Sequence, residues 1–347
     1  MNIFFRVDAS FTIGTGHMMR CLTLANFLKG NGARVTFICA ELAGNMIEYV
    51  RSFGFEVIAV SGKFEYDAMR TVAILKEQEC DLVIVDHYQI DEKWESVLKR
   101  KLSKLKLMVI DDLANRKHDC DLLLDQNYQE NFESRYDALV PKQCEKLLGP
   151  SYLLLRPEFY KENRIRTNAQ VGNILVFYGG SDPTGETVKA LYALSQLVQG
   201  NVQVHVVVGL SNLKKDLIAK ICKKSGFRYY EQINYLADLM RESDLSLGAG
   251  GVTMWERCYL GVPSIVTIVA ENQLESTVAA AKYGAIWSLG WHEGVKEREL
   301  VDIINRAMES PEKLRELSAK STLLMQANRK HEIHPVVKAI MEVGNGD

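Results

Sequence analysis

A histidine lies near the start of the chain, where a loop containing two glycines becomes a predicted helix. The segment reads Asp8-Ala9-Ser10-Phe11-Thr12-Ile13-Gly14-Thr15-Gly16-His17, and Arg20 follows one turn later. The amides and positive dipole end of the helix start, together with Arg20, disfavour a charged imidazolium. A neutral imidazole accepts a proton, as a general base must. We therefore predict that His17 is a catalytic base oriented by Asp8, the alternative being a purely structural histidine.

The same loop has an alternative interpretation as a dinucleotide-binding turn. Gly14 and Gly16 have the spacing of the first two glycines of that motif, but Met19 occupies the position of the third. The loop is also longer than the tight turn that grips a pyrophosphate. Glu41, after the second predicted strand, has a suitable side chain for a ribose contact, so a nicotinamide enzyme is kept as an alternative.

Polar side chains follow two later strands, at the points where ligand-contacting loops leave a parallel sheet. Asp86, His87 and Tyr88 follow one strand, and Asp111, Asp112 and His118 follow the next. These carboxylates and imidazoles resemble metal ligands in type, but their spacing defines no coordination geometry. We expect them to line a cleft and to cap loops, and we predict no metal.

Two glycine turns follow strands in the second half of the chain. The first reads Gly179-Gly180-Ser181-Asp182-Pro183. Pro183 suits the first helical position and Ser181 or Asp182 its cap, so this turn offers backbone donors to an anion or a sugar.

The second glycine turn reads Gly248-Ala249-Gly250-Gly251-Val252-Thr253 and leads into a helix that carries Glu256. Main-chain N–H groups at such a turn approach a diphosphate closely. Glu256, one turn into the helix, has a carboxylate that can accept hydrogen bonds from both hydroxyls of a ribose. Asn272 and Gln273 follow a later strand and are expected to point into the cleft.

The whole chain has an ordinary globular composition. It has 347 residues, 47% of them hydrophobic, and 42 Lys and Arg against 44 Asp and Glu leave a net charge of −2. This balance lacks the positive field that nucleic-acid or anionic-membrane binding requires. No apolar run reaches about 18 residues, and Met1–Asp8 contain no basic segment followed by an apolar stretch, so we expect neither a membrane span nor a secretory signal. Seven dispersed cysteines form no zinc or redox motif, so we expect a reduced, cytoplasmic protein without stable membrane association.

Short apolar runs alternate with helix-length segments along the chain. The predicted strands are 2–7, 34–40, 55–60, 81–86, 106–111 and 121–124, then 173–178, 202–208, 227–230, 244–247, 264–268 and 285–288. This alternation predicts an α/β fold of two Rossmann-like, doubly wound parallel-sheet domains facing a cleft. We place the domains at 1–156 and 173–322, joined by a linker at 157–172 and followed by a tail at 323–347. The tail could cross back to the first domain, and its His331-Glu332-Ile333-His334 segment is predicted to be surface.

Together these segments resemble the UDP-sugar hydrolases of pseudaminic acid biosynthesis. The resemblance rests on Arg6–Ser10, Ile13–His17, Arg20–Leu22, Asp86–Tyr88, Ile110–Arg116, Cys120–Asn127 and Gly179–Pro183, and it covers about residues 1–290. The family's substrate is UDP-2,4-diacetamido-2,4,6-trideoxy-β-L-altropyranose, and the family includes spore-coat polysaccharide relatives. It is related in fold to GT-B glycosyltransferases, which implies a GT-B-like architecture here.

The resemblance also implies a mechanism and roles for residues. His17 would activate water for attack at sugar C1 with inversion, releasing UDP, and no metal or redox cofactor is implied. The catalytic residues would be His17, Tyr88 and Asn272, the last two lying around the sugar. The residues expected to bind UDP and sugar are Asp8, Gly14, Thr15, Gly16, Arg20, Gly180, Ser181, Ile233, Leu236, Gly250, Gly251, Thr253, Glu256 and Gln273. Within that set, Ile233 and Leu236 would hold uracil, Glu256 the ribose, and Gly250, Gly251 and Thr253 the phosphates.

Two other functions are compatible with the same nucleotide site. A GT-B glycosyltransferase of surface or spore-coat polysaccharide synthesis would need an acceptor surface, for which the basic segment 96–106 is the nearest match. A non-catalytic UDP-sugar-binding protein would not need His17. We predict a monomer whose partner is a small UDP-sugar. Which diacetamido sugar it uses is not readable from sequence, because cleft shape selects stereochemistry.

Overall fold

The computed structural model describes residues 1–161, 170–197, 202–325 and 332–345. It divides into two compact units: unit 1 comprises Met1–Leu154 with Lys330–Asp347, and unit 2 comprises Leu155–Arg329. The boundary therefore falls just before the predicted linker 157–172. Within that linker, Pro157–Tyr160 form a short 3-10 helix, whereas residues 162–169 lie outside the described part.

Unit 1 is built on a parallel sheet that contains seven strands among the described residues. They are β1 (Asn2–Val7), β2 (Arg34–Ala40), β3 (Glu56–Val60), β4 (Leu82–Asp86), β5 (Lys106–Ile110), β6 (Leu122–Asp125) and β7 (Glu145–Leu148). Their spatial order is β3-β2-β1-β4-β5-β6-β7. The order reverses between β1 and β4, which pair with Val7 opposite Asp86. Ligands of doubly wound folds bind at this reversal, outside the carboxyl ends of the strands.

Helices connect the strands of unit 1. They are α1 (Gly16–Gly30), α2 (Ile47–Ser52), α3 (Asp67–Lys76) and α4 (Glu92–Lys101). The helix α1 forms because apolar residues lie at positions i, i+3, i+4, i+7 and i+10, on one side of a helix. Each of them is buried in the core shared with the strands: Met18, Cys21, Leu22, Ala25 and Leu28. This packing holds the start of α1, and with it His17, at the carboxyl end of β1.

Unit 2 repeats the same topology with six parallel strands in its described residues. They are β8 (Asn173–Phe177), β9 (Gln203–Val208), β10 (Arg228–Glu231), β11 (Leu245–Ala249), β12 (Ser264–Ile268) and β13 (Trp287–Trp291), ordered β10-β9-β8-β11-β12-β13. Its helices are α5 (Glu186–Leu197), α6 (Lys215–Ser225), α7 (Leu236–Glu242), α8 (Val252–Tyr259), α9 (Leu274–Tyr283), α10 (Glu297–Glu309) and α11 (Pro311–Leu324). The order reverses between β8 and β11, so the two glycine turns flank this second reversal.

The end of the chain contributes a last helix, α12 (Pro335–Asn345), to unit 1. Val336, Val337 and Ile340 are fully buried in the core that also contains the apolar side of α1. His334 precedes the helix, lies 3.2 Å from the carbonyl oxygen of Leu153 and stacks on Phe27 at a ring separation of 5.3 Å. The surface assignment is therefore wrong for His334, although it is right for the exposed Glu332 and Ile333; His331 lies outside the described residues.

The structure differs from two further expectations about elements. The strand β7 was not predicted, because its residues Glu-Lys-Leu-Leu are few and only partly buried. The helix after the first glycine turn begins at Glu186, so Pro183 is not its first residue. Among the described residues, no helix is long and apolar enough to cross a bilayer.

Candidate active site

His17 is held by a carboxylate from the neighbouring strand. It is buried in the first turn of α1, and its Nδ1 atom lies 2.5 Å from Oδ1 of Asp86, the last residue of β4. The predicted partner was Asp8, and this prediction is wrong. Asp8 is directed towards Arg6, with 2.6 Å between Oδ1 and Nη1, whereas Asp86 reaches His17 because β4 lies directly beside β1.

Arg20 joins the same carboxylate to a second one. Its Nε and Nη2 atoms donate to the two oxygens of Asp86 at 2.6 and 2.7 Å, and Nη1 donates to Asp112 at 3.0 Å. Tyr88 donates its hydroxyl to the other oxygen of Asp112 at 2.8 Å, and its ring meets His17 edge-on with 4.5 Å between centroids. The sequence-predicted residues His17, Arg20 and Tyr88 are thus brought together, by Asp86 and Asp112.

The charges in this cluster define the proton positions on His17. Burial acts to raise the pKa of Asp86, but the nearby Arg20 and His17 hold it well below its usual range. Asp86 is therefore an ionised acceptor, so Nδ1 of His17 carries the proton. Within the described chain, Nε2 has no hydrogen-bond partner, which leaves it as the nitrogen that can accept a proton. Burial and Asp112 raise the pKa of Tyr88, so Tyr88 remains a hydroxyl donor.

Asp8 belongs to a separate buried network that supports the strand ends. Its oxygens accept from Arg6, from the backbone N–H of Ala40 at 2.7 Å and from Nε2 of His87 at 3.1 Å. Nδ1 of His87 accepts from the amide of Gln89, so Nε2 is the protonated nitrogen of that ring. Since Asp8 is 3% exposed, its position favours structural support over the predicted contact with substrate.

The remaining carboxylates near the strand ends are each paired with an arginine. Asp111 lies 2.7 Å from Arg116, and Asp125 lies 3.0 Å from Arg135. His118 pairs instead with buried Glu95 at 2.7 Å. Among the described residues, no group of three or more His, Cys, Asp or Glu is arranged to hold a metal ion.

The loop before His17 uses several of its amides internally. The Ser10 hydroxyl accepts from the amides of Thr12 and Ile13, and the Ser10 carbonyl accepts from Gly14. Such a folded loop differs from the tight glycine turn of a dinucleotide site, in which the backbone closely approaches the pyrophosphate. Gly14, Thr15 and Gly16 are at least partly accessible at its end, next to His17.

In unit 2, the first amides of the helix that follows the first glycine turn are already hydrogen-bonded. The Asp182 carboxylate accepts from the amides of Gly185, Glu186 and Thr187 at 2.9 to 3.1 Å. These are the donors that an anion would need at the start of α5, so the predicted anion site is not available there. Gly180 and Ser181 are partly accessible beside this cap and are left as candidates for sugar contacts.

The second glycine turn leads directly into α8. Gly251 has a φ of +76°, which favours glycine, and it has no side chain to cap the first amides of the helix. A Cβ on Gly250 would lie 3.0 Å from Cβ of Gln273, so the start of α9 packs against this turn. Thr253 and Asn272 are partly accessible. Gly250 and Gly251, two of the predicted phosphate ligands, thus lie next to Gln273 within unit 2.

Glu256 lies on α8, the helix that follows this turn. It pairs with Arg156, a residue that the sequence analysis did not single out. Its side chain is buried, and Oε1 accepts from Nη2 of Arg156 at 3.3 Å. Oε2 has no hydrogen-bond partner in the described part of the chain. Burial raises the pKa of Glu256, and the Arg156 charge opposes this effect. Of the predicted uracil contacts, Ile233 is half-buried and Leu236 buried at the start of α7.

Comparison with known proteins identifies relatives over most of the chain. Residues 173–335 match the family model of the glycosyltransferase family 28 C-terminal domain. The chain is 33% identical over 313 residues to the spore coat polysaccharide biosynthesis protein SpsG of Bacillus subtilis, covering 89% of this chain and 90% of that protein. It is 28% identical over 285 residues to the UDP-2,4-diacetamido-2,4,6-trideoxy-beta-L-altropyranose hydrolase of Campylobacter jejuni, covering 82% and 97% respectively.

A further relative is longer than this chain. An uncharacterised protein of Methanocaldococcus jannaschii is 28% identical over 283 residues, which cover 79% of this chain but 57% of that protein. Among solved structures, MurG of Acinetobacter baumannii matches with a TM-score of 0.66 and 14% identity, covering 98% of this chain and 99% of that one. This likeness shows the fold, which is that of the GT-B glycosyltransferases.

Proposed function

Since the chain belongs to the family of SpsG and the UDP-2,4-diacetamido-2,4,6-trideoxy-beta-L-altropyranose hydrolases, we propose that it is a UDP-sugar hydrolase. The substrate is a UDP-linked 2,4-diacetamido-2,4,6-trideoxy hexose, and the products are UDP and the free sugar for pseudaminic acid biosynthesis. The observation that carries this proposal is the contact between His17 and the ionised Asp86, which leaves Nε2 to accept a proton.

In the proposed reaction, Nε2 of His17 takes a proton from water as the water oxygen attacks sugar C1. The bond between C1 and the glycosidic oxygen breaks, its electron pair leaves with UDP, and the configuration at C1 inverts. Asp86 stabilises the imidazolium that forms. UDP is a good leaving group, so donors to the diphosphate suffice in place of a strong general acid.

Unit 2 supplies the nucleotide contacts in this proposal. The free helix start at Gly251 supports binding of the diphosphate by Gly250, Gly251 and Thr253. The unpartnered Oε2 of Glu256 supports a ribose contact, and Ile233 with Leu236 would hold uracil. Tyr88, Asn272 and Gln273 would contact the sugar. No metal or cofactor takes part, and the enzyme acts as a cytoplasmic monomer.

The proposal is tested by incubating the protein with a panel of UDP-sugars in the absence of any acceptor. We expect UDP release from a 2,4-diacetamido-2,4,6-trideoxy hexose donor. In H₂¹⁸O the label should appear on sugar C1, because the C–O bond is the one that breaks. Label on the β-phosphate would mean attack at phosphorus and would overturn the proposed role of His17.

A glycosyltransferase is the second candidate, favoured by the match to the glycosyltransferase family 28 C-terminal domain. It would use the same nucleotide contacts but transfer the sugar to an acceptor hydroxyl. The same panel distinguishes the two functions: a transferase releases UDP slowly until an acceptor is added, whereas a hydrolase shows full turnover with water alone.

A further inference from the structure

Arg257 places a fully buried guanidinium directly behind the second glycine turn. It lies on α8 and is 0% exposed. Its Nη2 atom donates to the carbonyl oxygen of Ala249 at 2.7 Å. Its Nε and Nη1 atoms are buried without a hydrogen-bond partner in the described part of the molecule. The contact with Ala249 therefore links α8 back to the turn that precedes it.

This guanidinium differs from the other deeply buried arginines in having no carboxylate partner among the described residues. Arg6 pairs with Asp8 and Asp67, and Arg20 pairs with Asp86 and Asp112. These partners raise the pKa of both arginines against the effect of burial, whereas burial lowers the pKa of Arg257 to about 10. The charge of Glu256, the preceding residue of α8, opposes this effect of burial but forms no ion pair with Arg257. A buried charge without an ion-pair partner is unfavourable for folding, so its presence calls for a reason other than stability.

The contact with Ala249 determines where the next amide points. No described peptide bond is cis, so the carbonyl of Ala249 and the N–H of Gly250 point in opposite directions across their shared peptide plane. Because Arg257 holds the carbonyl oxygen inwards, the Gly250 N–H is directed away from the guanidinium. Gly248 permits this arrangement, since a Cβ there would lie 2.6 Å from Nη1.

We propose that Arg257 is a positioning residue for the diphosphate: it directs the Gly250 amide outwards and places a buried positive charge, held in no ion pair, behind the turn. This inference rests on the proposed function, in which the diphosphate of UDP binds at Gly250 and Gly251. A diphosphate would then add negative charge near Arg257 to that of Glu256, although the diphosphate and the guanidinium do not touch. The binding of uridine, which lacks phosphates, should not depend on Arg257.

The test compares the dissociation constants of UDP and uridine by calorimetry in the full chain. In R257M, the Kd of UDP should rise about tenfold, while the Kd of uridine stays within about twofold. The matched control is C258A, which changes the next buried residue of α8 and should leave both constants unchanged. R257K, which keeps the charge, should retain most of the preference for UDP.

An unchanged ratio of the two constants in folded R257M would overturn the inference, as would equal losses of UDP and uridine binding. R257K losing the preference as fully as R257M would also overturn it, because charge would then not matter. If R257M does not fold, R257Q, which also lacks the charge, is judged by the same ratio. Failure of the wild-type chain to bind UDP would instead overturn the proposed function.

Discussion

Oδ1 of Asp86 lies 2.5 Å from Nδ1 of His17, and Arg20 donates to both oxygens of the same carboxylate. The carboxylate therefore fixes both the tautomer and the orientation of the imidazole, since an ionised acceptor between an arginine and a ring nitrogen requires the proton on that nitrogen. The opposite nitrogen, Nε2, is left to act as base.

The first prediction concerns His17 as the base. H17N should lower kcat about 10²–10⁴-fold, the usual contribution of a general base. UDP affinity should not change, because the proposed UDP contacts lie in unit 2. The acid limb of the profile of kcat/KM against pH should also disappear, since it reports protonation of the base. Turnover rates and UDP calorimetry check this, and normal turnover would reduce His17 to a structural residue.

The second prediction concerns Asp86 as the residue that orients this base. D86N removes the charge and should lower kcat about 10²–10³-fold, again with UDP affinity unchanged. The matched control is C21A, since Sγ of Cys21 lies 3.4 Å from Oδ2 of the same carboxylate, whereas His17 contacts Oδ1. C21A should keep kcat within about threefold. Equal rates for D86N and C21A would contradict the role of Asp86.

The third prediction concerns Glu256 and the ribose. Loss of hydrogen bonds to a charged group costs about 1.5–3 kcal/mol, so E256Q should weaken UDP binding about 10- to 100-fold. The preference for UDP over 2′-deoxy-UDP should shrink in E256Q, because the missing hydroxyl is the proposed contact. E158Q is the control, since Glu158 also pairs with Arg156, at 2.9 Å, but is not proposed to contact ribose. Calorimetry that shows the same preference in E256Q would remove Glu256 from the ribose site.

The fourth prediction concerns divalent metals. Asp111, Asp112 and Asp125 are each paired with an arginine, so a cation would have to displace a charge already in place. Activity should therefore survive excess EDTA. The measurement is the rate of UDP release before and after chelation. If chelation abolished turnover and one divalent ion restored it, the prediction would be wrong and Asp111, Asp112 and Asp125 would again be candidate metal ligands.

The fifth prediction concerns Asp8 and acid stability. Burial acts to raise the pKa of Asp8, but His87 and Arg6 hold it below its ordinary value in the folded protein. Its carboxylate thus contributes stability that is fully present above about pH 4, the unfolded pKa, and is lost as the pH falls towards the lower folded value. D8N should cost about 3 kcal/mol of unfolding free energy at pH 7.

The difference between D8N and the wild type should shrink below pH 4, as measured by urea unfolding across a pH series. D81N is the control, because Asp81 is exposed and accepts one amide hydrogen bond from Asn2; it should cost less than about 1 kcal/mol throughout. If the difference in unfolding free energy between D8N and the wild type does not change with pH, the shape of the Asp8 side chain rather than its charge is stabilising.

Most of the sheets could be predicted from the sequence because a buried parallel strand is a short apolar run between turns, whatever its neighbours are. The runs at 2–7, 34–40 and 264–268 coincide with the observed strands. The strand β7 was missed because an edge position with partly exposed residues leaves only a weak apolar signal. The start of α5 was misplaced because proline preference is local, whereas Asp182 caps the helix from further back.

The sequence by itself determined the strand-and-helix alternation, the glycine turns and the presence of His17 at a helix start, since these depend on residue type and local spacing. The tertiary structure decided which groups meet. Asp8 directly follows β1 and Asp86 is the last residue of β4. Asp8 is closer to His17 in the sequence, but the pairing of β1 with β4 brings Asp86 to His17 instead. The sequence also named Asp182 as a candidate cap of α5, and its carboxylate does accept from the first amides there. Only packing shows that Arg257 is buried without an ion pair behind the other glycine turn. Hydrogen bonds and ion pairs between distant residues depend on strand order and burial, which no local pattern encodes.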